Sequence, residues 1–252
     1  MEERELYFEQ FRRNFQESNI AKEYYSSRKL SKSLFDEEQI AYCPIYSRYS
    51  FPYLKGRLIV PIRNIYGEII ALAGRQIPAN MDKSVEALYE KFSNDSKKCQ
   101  ERINKYKKGK WINEPYVRNR NIYFLDKAKI HARQKNYLIL MEGYFDVLSF
   151  YDNGIKNVSA LCGTSISDYQ IALISRFCDN VVVLMDSDAP GKTASIKIVQ
   201  KIKEMGLNAY RVFLPTNLDP DDFAAQYDIN FLDKAIQNNI AEKKQDLTIY
   251  GK

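Results

Sequence analysis

Short apolar runs alternate with longer mixed stretches through the second half of the chain. Runs typical of buried strands occupy 137–141, about 157–161, 181–185 and 209–214. Before and between these runs, and after the last one, lie helix-length stretches at 122–134, 144–153, 167–177, 190–205 and 221–227. Strands that alternate with helices favour crossover connections and a parallel sheet. The second half of the sequence therefore predicts an α/β fold with a mainly parallel sheet.

The first half has a different, mixed pattern. It opens with an amphipathic helix whose apolar positions are Leu6, Phe8, Phe11 and Phe15. Two strand candidates follow at 57–63 and 68–75, and the turn between them ends in Gly67, which indicates a hairpin. Alternation along the first strand places Arg57 and Arg63 on one face, about 20 Å apart at ~3.3 Å per residue. This half predicts a mixed α+β subdomain.

These patterns divide the chain into three expected parts. A basic, mixed α+β subdomain covers 1–121 and is interrupted by a charge-rich helical insertion at about 79–109. The α/β subdomain covers 122–230, and a polar helix or tail covers 231–252.

Acidic residues follow three of the predicted strands directly or after a short turn. Glu142 follows the first of them, Asp186 and Asp188 follow the second, and Asp219 and Asp221 follow the third. In an open parallel sheet, ligands gather outside the carboxyl ends of the strands. Five carboxylates at one edge would repel each other unless a cation lay among them, and oxygen ligands of this kind suit Mg²⁺ or Mn²⁺. The pattern predicts a metal site for phosphoryl or nucleotidyl transfer.

Helix capping is the competing interpretation of these residues, because aspartate is a common N-cap. One cap would explain a single aspartate, but two Asp-x-Asp pairs together with Glu142 exceed what capping needs. The role of Glu142 stays open at this point between a metal ligand and a general acid or base.

Composition excludes several other classes of protein. His131 is the only histidine, so a Ser-His triad or a histidine pair is effectively excluded, and the four cysteines form no C-x-x-C pair. No apolar run approaches the ~18 residues of a membrane span, and charged residues rather than a signal peptide follow Met1. We expect a cytoplasmic protein without a membrane partner. The formal net charge of +6 makes a polyanionic partner plausible.

Several segments carry a resemblance to a known family. The segments 142–148 (EGYFDVL), 153–167, 181–194 and 218–227 resemble the Toprim domain of bacterial and phage DnaG-type primases. Toprim domains also occur in topoisomerases, nucleases and recombination proteins, so these segments alone do not fix the activity. The segments 55–75, 110–113 and 122–128 are similar to the part of primases that precedes Toprim. The resemblance covers about residues 5–230 and identifies a primase RNA polymerase core.

The resemblance implies a Rossmann-like Toprim fold for the second subdomain and assigns roles to individual residues. Glu142, Asp186 and Asp188 match catalytic positions, and the expected metal ligands are Glu142, Asp186, Asp188, Asp219 and Asp221. Asp146 matches the aspartate of the first Toprim motif. With it, we place the expected nucleotide- and template-binding positions at Arg57, Arg63, Arg75, Lys110, Arg118 and Arg120.

The implied activity is DNA-templated synthesis of short RNA primers by a metal-dependent DNA primase, a DNA-directed RNA polymerase. The implied partners are a single-stranded DNA template, ribonucleoside triphosphates and a replicative helicase, in a bacterial cell or a phage-infected host. The zinc ribbon and the helicase-binding region of the family have no counterpart in this sequence.

Two other functions stay open. A Toprim-type nuclease would use the same carboxylates with water as the nucleophile and would cleave nucleic acid without added nucleotides. A non-catalytic nucleic-acid-binding module of the replisome would keep the fold as a scaffold. The intact acidic set argues against the module, since an inert scaffold has no need to crowd mutually repelling charges.

Overall fold

The computed structural model describes residues 2–37, 39–80, 83, 101, 104, 109–215 and 218–249. The chain divides into two compact units. The amino-terminal unit comprises Met1–Arg63 and Glu68–Tyr116, and the carboxy-terminal unit comprises Asn64–Gly67 and Val117–Lys252. The helical insertion expected at about 79–109 falls largely outside the described residues.

The regular elements of the described residues are numbered here in chain order. The α-helices are α1 Glu2–Glu17, α2 Asn19–Ser27, α3 Lys32–Asp36, α4 Leu125–Lys135, α5 Tyr144–Asp152, α6 Asp168–Ile174, α7 Ala189–Glu204, α8 Pro220–Gln226 and α9 Ile229–Ala241. The strands are β1 Ala41–Cys43, β2 Arg57–Arg63, β3 Ile69–Gln76, β4 Trp111–Asn113, β5 Tyr137–Met141, β6 Val158–Ala160, β7 Asn180–Val183, β8 Asn208–Phe213 and β9 Asp246–Thr248. Single 3₁₀ turns occupy Pro52–Leu54, Pro78–Asn80 and Arg118–Arg120.

The amino-terminal unit is built on an antiparallel sheet in the order β1-β2-β3-β4. The predicted hairpin is confirmed as β2 and β3, which pair in antiparallel register. The predicted opening helix is confirmed as α1, which buries Phe8 and Phe11 against a core that includes Leu54 and Ile59. Leu6 was expected on the same apolar face, but its side chain is 73% exposed.

Both faces of β2 are buried, and this burial includes Arg57. Arg57 has 0% exposure, and its Nη1 donates to the carbonyl oxygens of Gly74, Gly109 and Lys110 at 3.2, 3.0 and 3.3 Å. A Cβ at Gly74 would lie 2.7 Å from Leu54 Cδ2 and 2.9 Å from Arg57 Cδ, so a larger residue there would force these two buried side chains to move. A register irregularity between Ile62 and Arg63 ends the simple alternation on which the sequence argument relied.

The carboxy-terminal unit is built on a parallel sheet in the order β6-β5-β7-β8-β9. The strands predicted at 137–141, 157–161, 181–185 and 209–214 are confirmed as β5 to β8 within one or two residues at each end. Residues from α4, α6 and α7 share one buried core with β5 and β7, including Ala128, Leu138, Ile171, Val181 and Ile198. The near-continuous apolar sequences of β5 and β7 follow from this burial on both faces.

Residues 231–252 were predicted as a helix or tail, and this prediction is wrong in one respect. Helix α9 is followed by β9, which pairs in parallel with β8 and forms the edge of the sheet. Arg211 of β8 donates to both carboxylate oxygens of Asp246, at 2.7 and 2.6 Å. In β9, Asp246 and Thr248 are exposed and only Leu247 is half-buried, so the strand depends on its partner β8 rather than on an apolar run of its own.

Candidate active site

Four acidic residues lie just beyond the carboxyl ends of neighbouring parallel strands. Glu142 follows β5, Asp186 and Asp188 follow β7, and Asp219 follows β8. Strand β7 pairs in parallel with both β5 and β8, so these strand ends share one edge of the sheet. We call Glu142, Asp186, Asp188 and Asp219 the acidic edge.

The charges of the acidic edge are close enough to affect one another. Burial raises the pKa of Glu142, and the neighbouring carboxylates of Asp186 and Asp188 raise it further. Burial likewise raises the pKa of Asp186, with further contributions from Asp219 and Asp188. Without a cation, the ionised forms of these carboxylates therefore repel each other in a partly desolvated place.

Asp188 and Asp219 also cap helices. Asp188 Oδ1 accepts from the Gly191 N–H at 2.7 Å and begins α7, and Asp219 Oδ1 accepts from the Asp222 N–H at 2.8 Å and begins α8. Both aspartates are exposed. Capping and a place at the acidic edge therefore occur together in these two residues, so a helix cap does not exclude a place at this edge.

The backbone at Gly191, in the first turn of α7, lies directly against the backbone of Asp186. A Cβ at Gly191 would lie 2.3 Å from the Asp186 carbonyl oxygen. Any other residue at this position would push the helix away from the strand end. Gly191 thus sets the spacing between Asp186 and the cap residue Asp188.

Asp146 lies inside the unit rather than at its surface. Only 9% of the residue is exposed, and its Oδ2 accepts from the Gly143 N–H at 2.8 Å. Burial and the neighbouring Asp186 raise the pKa of Asp146 to about 8. The carboxyl group holds the turn that carries Glu142, and this buried position does not support the expectation that Asp146 binds nucleotide or template.

Asp221 is also buried, and it faces α5. Its carboxylate accepts from the hydroxyl of Ser149 in a short hydrogen bond, and 6% of the residue is exposed. This orientation does not support the expectation that Asp221 is a metal ligand. Sequence reasoning missed Ser149, although a serine one turn after Asp146, between apolar residues of the same helix, was a signal for a buried polar contact.

The acidic edge has the donor chemistry of a divalent-cation site but is not a complete cage. Among the residues that the structure describes, no three Asp, Glu, His or Cys side chains converge to hold a metal ion. Mg²⁺ is usually bound through one or two carboxylates together with waters and substrate phosphates. The partly buried oxygens of Glu142 and Asp186, flanked by Asp188 and Asp219, fit that mode of binding.

Two of the expected basic residues belong to the carboxy-terminal unit. Arg118 and Arg120 lie in the 3₁₀ turn at Arg118–Arg120 and are both exposed. Arg118 Nη1 donates to the Cys162 carbonyl at 3.0 Å, and the Arg120 guanidinium lies 5.7 Å from the centre of the Tyr169 ring. These contacts place both cations on the surface of this unit.

The other basic residues belong to the amino-terminal unit and differ in exposure. Lys110 is exposed. Arg63 is only 12% exposed and pairs with Glu5 at 3.6 Å. Arg75 Nε donates to the Tyr24 hydroxyl at 3.0 Å, and the residue is partly exposed.

Arg57 requires a correction. A template-binding arginine must reach the surface, whereas this guanidinium is enclosed and donates to backbone carbonyls. Its role in the structure is to join β2, β3 and the start of β4.

The cysteine thiols of the described residues are not activated. Burial raises the pKa values of Cys43, Cys162 and Cys178 to about 12 each. A thiol needs its thiolate form to act as a nucleophile, so these three are structural.

In the part of the chain that the structure describes, no helix combines the length and apolarity required to cross a membrane.

Comparison with known proteins agrees with this architecture. A family model described as Toprim-like matches residues 139–224. The DNA primase of Aquifex aeolicus is 30% identical over 175 residues, which cover 68% of this chain and 30% of that protein. The DNA primase of Staphylococcus epidermidis is 29% identical over 238 residues, covering 88% and 38% of the two chains. The solved catalytic domain of a DnaG primase bound to single-stranded DNA superposes with a TM-score of 0.70 at 21% identity, over 92% of this chain and 76% of that one.

The parallel sheet and its acidic edge define the carboxy-terminal unit as a Toprim-type domain. With the antiparallel unit that precedes it, the chain is a DnaG-type primase core in sequence and fold. It spans 30% and 38% of the length of the two relatives.

Proposed function

We propose that this chain synthesises short RNA primers on a DNA template by metal-dependent nucleotidyl transfer. The observation that carries the proposal is the acidic edge, where the pKa values of Glu142 and Asp186 are raised by burial and further by the charges of neighbouring carboxylates. The similarity to DNA primases supports the reaction, and the similarity to a DnaG catalytic domain bound to single-stranded DNA supports the template.

Glu142, Asp186, Asp188 and Asp219 are the residues that would hold Mg²⁺ or Mn²⁺. A bound divalent ion supplies charge neutralisation for the triphosphate and helps to activate the attacking hydroxyl. The protein's own contribution is positioning. Asp146 fixes the turn that carries Glu142 through the Gly143 N–H, and Gly191 fixes Asp188 relative to Asp186.

Basic side chains of each unit would hold phosphates. In the carboxy-terminal unit these are Arg118 and Arg120, and in the amino-terminal unit they are Lys110 with the partly accessible Arg75 and Arg63. Exposed cations of this kind bind the sugar–phosphate backbone without reading sequence. The substrates are ribonucleoside triphosphates, and a replicative helicase is the proposed partner in the cytoplasm of a bacterial cell or a phage-infected host.

The test is primer synthesis by the whole chain. It is incubated with single-stranded DNA, labelled ribonucleotides and Mg²⁺ or Mn²⁺, and the products are separated by length. We expect new oligoribonucleotides from the wild type and none above background from Glu142→Gln or Asp186→Asn, because each change removes an oxygen ligand with its charge. Asp228→Asn is the matched control, since Asp228 caps α9 outside the acidic edge and asparagine also caps.

Parallel reactions without nucleotides separate the alternatives. Metal-dependent shortening of the DNA, lost in the same two variants, would replace the primase by a nuclease. Binding of DNA with neither synthesis nor cleavage, unchanged in both variants, would leave a non-catalytic binding module.

A further inference from the structure

Ser149 and Asp221 form a buried contact between helices α5 and α8. The Ser149 hydroxyl donates to Asp221 Oδ1, and the two residues are 4% and 6% exposed. Asp221 belongs to the first turn of α8, two residues after the cap residue Asp219. The contact therefore acts on the end of α8 that carries part of the acidic edge.

A donor is needed at this place because another carboxyl group lies on the same side of α5. Asp146 precedes Ser149 by three residues, which puts the two on one face of the helix. Electrostatic interaction with Asp221 and Asp219 acts on Asp146. Without the hydroxyl, the Asp221 carboxylate would lose a buried donor beside a group that repels it.

The start of α8 in turn places Asp219. Its carboxylate caps this helix through the Asp222 N–H, so its position follows any movement of the first turn. Asp219 is also the first of the carboxylates that act on Asp186. A shift of the first turn of α8 would therefore move Asp219 and change its distance from Asp186.

We propose that Ser149 is a positioning residue that holds Asp221 against α5 and thereby keeps Asp219 beside Asp186 at the acidic edge. The proposal rests on the divalent-cation site of the proposed function. It makes Asp221 a support of that site rather than one of its ligands.

Mn²⁺ binding tests the proposal without DNA, nucleotides or turnover. The whole chain is titrated with Mn²⁺, and free ion is measured by electron paramagnetic resonance. We expect Ser149→Ala to raise the apparent dissociation constant for Mn²⁺ by about 3- to 10-fold, the effect of losing one buried hydrogen bond. Ser149→Thr keeps the hydroxyl and should bind Mn²⁺ better than Ser149→Val, which has nearly the same volume without it.

Ser195→Ala is the matched control, because Ser195 is a buried helical serine whose hydroxyl donates to the Lys192 carbonyl of its own helix. Its Mn²⁺ affinity should equal that of the wild type. Asp221→Asn should also stay close to the wild type, since the amide oxygen can still accept from Ser149.

A folded Ser149→Ala variant with wild-type Mn²⁺ affinity would overturn the role of Ser149 and leave the proposed function intact. If the alanine variant fails to fold, equal Mn²⁺ affinities of Ser149→Thr and Ser149→Val would overturn the role of Ser149 instead. A large loss in Asp221→Asn would make Asp221 a ligand and also contradict the proposal. A wild-type chain that binds no Mn²⁺ would remove the site and with it both proposals.

Discussion

Identical carboxyl groups have different roles in this molecule because their surroundings differ. Asp188 and Asp219 are exposed and cap helices, whereas Glu142 and Asp186 are partly buried with raised pKa values. Asp146, like Asp221, is buried and accepts from a donor within the unit. Sequence spacing places all six near strand ends but does not reveal which way each side chain turns.

The titration of Asp146 should be visible in the stability of the chain. Its folded-state pKa of about 8 lies above the ~3.9 of an unfolded aspartate. Its favourable contribution is therefore complete below the unfolded pKa and is lost as the pH rises through about 8. Asp146→Asn cannot ionise and keeps an acceptor for the Gly143 N–H. The melting temperature of this variant, relative to that of the wild type, should rise between pH 4 and pH 9.

Thermal melts in buffers with a chelator at several pH values would measure this difference. Asp228→Asn, a change of the same kind at an exposed cap, should show no such trend. A difference between Asp146→Asn and the wild type that stays constant with pH would contradict the raised pKa.

At the scale of elements, the strands that can be predicted from sequence are those whose own residues are buried. Strands β5 and β7 were predictable because both faces of each strand are buried, which leaves a continuous apolar run. Strand β9 was not predictable, because two of its three residues are exposed and the strand is held by its pairing with β8. The three-residue strand β1 was missed for a related reason: it is too short to show a period, although every residue in it is buried.

The interior place of Arg57 depends on contacts that are distant in sequence. Alternation along β2 predicted an accessible face, but the side chain is buried and its Nη1 donates to the carbonyls of Gly74, Gly109 and Lys110. No local pattern contains that information. The same limit applies to Asp221, whose partner Ser149 lies 72 residues away.

A structural role for Arg57 predicts a loss of stability. Arg57→Ala should lower the free energy of unfolding by about 2–4 kcal/mol, because it opens a cavity and removes the donor of three carbonyls. Lys110→Ala removes an exposed cation from the same unit and should change stability by less than ~0.5 kcal/mol. Urea unfolding of the two variants and the wild type measures both values. An Arg57→Ala variant with the same free energy of unfolding as the wild type would contradict the structural role and leave template binding as the expected role of Arg57.

At the scale of the whole molecule, the charge distribution favours binding to a polyanion such as nucleic acid. The formal net charge is +6, so basic residues outnumber acidic ones even though four carboxylates are gathered at the acidic edge. Both units present exposed cations, Lys110 in one and Arg118 and Arg120 in the other. The electrostatic part of binding to a polyanion is expected to be independent of sequence and sensitive to salt.

That expectation gives a quantitative test of the basic residues. For single-stranded DNA, the logarithm of the binding constant should fall with the logarithm of the salt concentration by a slope of roughly −0.7 per neutralised phosphate. Lys110→Ala and Arg118→Ala should each make the slope shallower by about 0.7 if each side chain contacts one phosphate. Fluorescence anisotropy of a labelled oligonucleotide at several salt concentrations measures it. Lys234→Ala removes a cation from α9, outside the proposed contacts, and should leave the slope unchanged. Equal slopes for all four proteins would show that neither residue neutralises a phosphate, because a lost contact must change the number of counterions released.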